Sequence, residues 1–145
     1  MKLKMSRDEL ERFLHEHFPQ VGRDFTVLKV APREIAVRMK VDHRNLRPGN
    51  TVSGPSMFAL ADVTMYLAVL ALIGPEALAV TTSCAIDFMR KPAAGRDLIA
   101  RGRVLKLGRA LAVGDVLVYS NGAEEPVARA GITYSIPPGR QITEA

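Results

Sequence analysis

The sequence predicts an α+β domain in which an antiparallel sheet of about six strands wraps around one long helix. Three observations predict it. The segment Pro55–Gly74 (PSMFALADVTMYLAVLALIG) is apolar on nearly every face, so a helix built from it must be enclosed. Two strand-like runs precede it and four follow it. The later breaks, at Pro92–Gly95, Gly108-Arg109 and Ser120–Pro126, are short and turn-like, which suits antiparallel neighbours rather than the long crossovers of a parallel sheet.

The elements follow in order. Ser6-Arg7-Asp8-Glu9 fits a capping box, with Leu10, Phe13, Leu14 and Phe18 on one face behind it, so a surface helix is expected within residues 1–22, closed by Pro19 and Gly22. Phe25–Val30 reads as a strand. Ala31-Pro32-Arg33-Glu34 reads as a turn, and the alternation of Ile35, Val37, Met39 and Val41 with Arg38 and Lys40 as a second strand. Asp42–Gly54 carries Pro, Gly and Asn and reads as a loop. Pro55 suits the first turn of the long helix, where its missing N–H would be unpaired anyway, and Gly74-Pro75 stops it. Strands are expected at Leu78–Phe88, Leu98–Leu107, Ala110–Tyr119 and Val127–Ile136, with a tail over 137–145.

A length of 145 residues suits a single domain over 1–145. The long apolar segment approaches the length of a membrane span, but Asp62 lies inside it and a mid-membrane carboxylate costs several kcal/mol, so a buried core helix is expected and no membrane partner. Met1–Glu16 is charged and has no apolar signal-peptide core, so a cytoplasmic location is expected. Cys84 is the single cysteine, which excludes an internal disulfide or a multi-cysteine zinc site. The net charge is +5, yet the 14 Arg and 6 Lys are spread along the chain, Trp is absent and no nucleic-acid-binding motif appears, so no nucleic-acid partner is expected. No metal-ligand spacing or phosphate loop is present, and we expect no metal and no cofactor.

One carboxylate stands out. Asp62 sits among Ala59, Leu60, Ala61, Val63 and Met65, which offer no charge partner, and burying such a group is costly unless it is paired or used. Gly54 falls at the helix N-terminus, where a free backbone N–H and the helix dipole suit a developing negative charge; Pro55 supplies no second donor.

The order of elements and the segment Gly49-Asn50-Thr51-Val52-Ser53-Gly54-Pro55-Ser56-Met57-Phe58-Ala59-Leu60-Ala61-Asp62 resemble hot-dog-fold acyl-CoA thioesterases of the PaaI-like branch, whose signature G-x-x-H-G-G-x-x-x-x-L-x-D runs from a loop into the central helix. Ile86-Asp87-Phe88-Met89-Arg90-Lys91-Pro92 resembles that family's strand end, and Leu105-Lys106-Leu107-Gly108-Arg109 its turn; the likeness covers about residues 20 to 136. The signature His is Ser53 here and the second Gly is Pro55.

The resemblance implies a hot-dog fold and hydrolysis of a small or medium acyl- or aryl-CoA, with coenzyme A entering as part of the substrate. It makes Asp62 a general base or nucleophile at a dimer interface, Gly54 the carbonyl-polarising donor, and Thr81 the hydroxyl that holds water. It makes Asn50 or Asn45 the loop amide, with Ser53 in the place of the signature His. It directs Arg90, Lys91, Gly108 and Arg109 toward the coenzyme. Phe88 and Met65, with Met57, Phe58 and Tyr66, would line an apolar pocket or serve as plain core. A homodimer or a tetramer of dimers is expected, because an open sheet edge and an uncovered helix flank usually pair. A non-catalytic acyl-CoA-binding protein of the same fold is the rival reading, favoured by Ser53 and Pro55 and opposed by Asp62.

Overall fold

The structure, a computed structural model, describes residues 1–138. The expected tail lies, from 139 onward, outside the described residues. Helix α1 (Arg7–His17) starts at Ser6 with the anticipated capping box: the Ser6 side chain accepts the Glu9 N–H and the Glu9 carboxylate accepts the Ser6 N–H. Leu10, Phe13 and Leu14 form its buried face. Strands β1 (Phe25–Ala31) and β2 (Glu34–Met39) form the expected hairpin. The predicted loop holds one 3-10 turn and a small ladder of β3 (Leu46–Arg47) and β4 (Thr51–Val52), joined by a Pro48-Gly49 turn in which Gly49 takes φ 95° and Asn50 N–H bonds Arg47 O at 3.1 Å.

The long helix α2 (Gly54–Ile73) is followed by β5 (Val80–Phe88), β6 (Leu98–Leu107), β7 (Leu111–Ser120) and β8 (Ala128–Ser135). The main sheet is six-stranded and antiparallel in the order β1-β2-β6-β7-β8-β5. The expected fold class is therefore observed. It curls around α2, which is buried over most of its length; Leu60, Leu67, Val69 and Leu70 are completely enclosed, each contributing roughly 2 kcal/mol. The trough that receives the helix is lined by small residues on alternate positions of three strands: Ala100 and Gly102, Ala112 and Gly114, Ala128 and Ala130. A Cβ on Gly102 would stand 2.9 Å from Thr64 Cγ2, and one on Gly114 2.7 Å from Met65 Sδ. The helix rests where the strands carry only a hydrogen atom or a methyl group.

The two sheet edges differ. At β1, Glu11 of α1 accepts the outward Val27 N–H at 2.7 Å, so that edge is covered. β5 is open: Val80 is 56% exposed at one end and Phe88 51% at the other, and Phe58 of α2 is exposed as well.

Candidate active site

Asp62 is held by two hydroxyl groups from the sheet. Tyr134 donates to Asp62 Oδ1 at 2.8 Å and lies 3.1 Å from the Asp62 carbonyl oxygen. Thr81 donates to the same Oδ1. Thr81 and Tyr134 are direct cross-strand partners on β5 and β8, so their side chains share the face turned to α2. A β-bulge follows, between Thr81 and Ser83, with Thr82 as the extra residue and its hydroxyl turned to Thr133 O at 3.4 Å. Oδ2 of Asp62 has no protein donor among the described residues, and the side chain is only half-buried. The arrangement ties down one carboxylate oxygen and leaves the other without a protein donor among the described residues.

The neighbouring titratable groups stay protonated near neutral pH. Burial, and then the Asp62 charge, pushes the Tyr134 hydroxyl well above the usual phenol range. Burial and then Asp62 also raise the Cys84 thiol on β5, which makes it a poor nucleophile. Tyr66, whose ring lies 5.9 Å from that of Tyr134, is pushed up to about 12 by burial and then by Glu76.

The start of α2 is a second cluster. Ser53 is the N-cap: its Oγ accepts the Ser56 N–H at 3.3 Å and donates to Ser56 Oγ at 3.1 Å. The Ser53 hydroxyl is thus engaged in capping the helix. Of the two loop asparagines, Asn45 and not Asn50 adjoins the helix start. Asn45 Nδ2 donates to Ser56 Oγ at 3.2 Å, and its carbonyl accepts the Ser53 N–H at 2.7 Å. Asn50 is an exposed turn residue with φ 60°. The Gly54 N–H has no protein acceptor among the described residues. The Phe88 ring covers Gly54, with a Cβ there placed 3.2 Å from Phe88 Cζ.

Met65 is fully buried against Gly114 and fills the gap between helix and trough, the plain-core alternative of the two. Arg90 and Lys91 lie beyond the Phe88 end of β5, whereas Gly108 and Arg109 form the β6–β7 turn. That turn is level, through Leu111 and Ser135, with Val80 at the other end of β5. The two groups are thus separated by roughly 27 Å, one strand length, within a single chain. Arg90 is engaged with Glu125 at 2.8 Å and Pro126 O at 2.6 Å, and Gly108 N–H with Leu111 O at 2.8 Å. Tyr134 is the residue that sequence reasoning missed.

Residues 49–127 match the model of the Thioesterase superfamily. The chain belongs to that superfamily. Among solved structures, a candidate thioesterase from Silicibacter sp. TM1040 is 58% identical, covers 95% of this chain and 96% of that one, and superposes with a TM-score of 0.89. A mutant of the phenylacetic acid degradation protein PaaI from Thermus thermophilus is 32% identical over 82% of this chain and 99% of that one, with a TM-score of 0.71. These likenesses bear out both the hot-dog fold and the kinship with PaaI. A Streptococcus mutans protein solved with acetyl CoA is 24% identical over 81% of this chain and 91% of that one, with a TM-score of 0.72, and shares the fold.

Proposed function

We propose that this thioesterase-superfamily chain hydrolyses the thioester of a small or medium acyl- or aryl-CoA, with Asp62 as the general base. The observation that carries the reading is the half-buried Asp62 carboxylate, tied through Oδ1 to Thr81 and Tyr134 and free at Oδ2. A water on Oδ2 attacks the thioester carbonyl carbon as its proton passes to the carboxylate. The carbonyl oxygen, now an anion, is received by the Gly54 N–H at the helix N-terminus. The C–S bond then breaks, the departing coenzyme A thiolate takes the proton back from Asp62, and the acid leaves. No resident metal or cofactor enters this sequence.

One carbonyl needs both groups, and positions 54 and 62 stand eight residues apart on one helix, about 12 Å along its axis. That separation supports a site shared between two copies. An antiparallel pairing of two open β5 edges sets the Phe88 end of one chain, with its Gly54, against the Thr81 end of the other, with its Asp62. The same pairing brings Arg90 and Lys91 of one chain toward the Gly108-Arg109 turn of the other, where cations suit the coenzyme phosphates. Free-thiol release from a panel of short, long and aryl acyl-CoA thioesters tests the activity, and sedimentation tests the dimer. Turnover of at least one class by a dimer is expected. Tight acyl-CoA binding without thiol release would favour the non-catalytic rival, and an active monomer would overturn the shared site.

A further inference from the structure

We propose that Tyr134 is a positioning residue for the hydrolysis: its hydroxyl, with that of Thr81, locks Asp62 so that Oδ2 alone faces the substrate. The proposal rests on the reading of Asp62 as the base and adds a residue outside the segment, 49–127, that matches the superfamily model.

A carboxylate on an open helix flank rotates freely and exchanges its two oxygens. Here one hydroxyl lies within reach of both the Asp62 side chain, at 2.8 Å, and the Asp62 carbonyl, at 3.1 Å, so it ties the side-chain torsions to the helix backbone. The Tyr134 ring is itself closely surrounded. It is 3% exposed, stands across from the small, fully buried Ala112 on β7 and from Thr81 on β5, and lies 5.9 Å from the Tyr66 ring at 41°. Phe18 in turn meets Tyr66 edge-on at 5.6 Å. A plain core position would take Phe; the hydroxyl here has the Asp62 residue as its acceptor. The titratable groups facing Asp62 are Tyr134 from β8 and Cys84 from β5, with Tyr66 one turn on along α2, and all three hold their protons in the neutral range. Tyr134 therefore remains a donor while Asp62 cycles between carboxylate and acid.

Tyr134→Phe keeps the ring and removes only the donor. The expected result is a fall in kcat of about tenfold with KM within about twofold, as for loss of one charge-assisted hydrogen bond. A second readout needs no turnover: the Asp62 side chain should hold one χ1 rotamer in wild type, read from three-bond couplings by NMR, and average over rotamers in the variant. An Asp62 side chain equally ordered in both overturns the proposal, as does an unchanged kcat; a loss of kcat with that order unmoved marks a merely structural tyrosine. If the wild type hydrolyses no thioester while the variant loses the order, the function reading fails and the tether stands.

Discussion

Gly114→Ala should cost the fold about 2 kcal/mol. A Cβ at this position lies 2.5 Å from the Arg103 backbone oxygen and 2.7 Å from Met65 Sδ, and closer still to Met65 Cε. Ordinary contact begins at 3.4 Å. Arg103 O belongs to the β6–β7 ladder beside the bulge at Leu105, and Met65 is 0% exposed, so neither neighbour can move aside. Relief requires lifting α2 from its trough or prying the strands apart, an overpacking cost of up to about 3 kcal/mol. The reduced freedom of the unfolded chain returns roughly 0.4–1 kcal/mol of that. The remainder corresponds to a fall in Tm of about 4–8 °C for a chain of this size. Urea unfolding and thermal melts followed by circular dichroism measure it, with Gly131→Ala as the control, since a Cβ there meets nothing within 4 Å. If Gly114→Ala is as stable as Gly131→Ala, the close seating of helix on sheet is wrong.

Thr81→Ala removes the other hydroxyl on Asp62 Oδ1 and should lower kcat about tenfold with little change in KM; undiminished turnover retires its role. If Lys91, Arg90 and Arg109 meet coenzyme phosphates, KM for an acyl-CoA should rise severalfold as salt goes from about 0.05 to 0.5 M. KM for a thioester lacking the nucleotide should not rise, and a salt-independent KM counts against the assignment. Tyr66 has its folded-state value raised from 10.0 to about 12, so its contribution to stability is whole below about pH 10 and is lost as pH climbs toward 12. Unfolding free energies measured from pH 9 to 12 should fall less steeply in Tyr66→Phe than in wild type, with Tyr134 and Cys84, whose protons burial also holds, contributing to the residual slope. An identical slope in the variant would contradict the burial argument.

Strands such as β6 were legible because they alternate: Leu98, Ala100, Gly102 and Val104 face inward between exposed arginines. The central helix was legible from its length and its Gly74-Pro75 stop. Its all-round apolarity, however, carries no phase, so whether Met65 faced a cleft or the sheet had to come from packing. Asp62 was conspicuous as a carboxylate in an apolar run. Its partner Tyr134 stands 72 residues away, and in the run VARAGITYSI nothing separates a tyrosine with a task from one that fills space. The choice between Asn45 and Asn50 turned on the path of a loop whose small β3–β4 ladder has only two residues per strand. Ser53 stands in the place of the motif histidine and is also an ideal helix cap, a second role that the spacing alone does not separate from the first.

Asp62→Asn tests the central claim most directly. The amide is isosteric and keeps an oxygen for Thr81 and Tyr134, so the circular dichroism spectrum and sedimentation should match wild type. Loss of a general base predicts a fall in kcat of about 10²–10⁴-fold on the best thioester of the panel. A folded Asp62→Asn variant that releases thiol within about twofold of the wild-type rate would contradict the account.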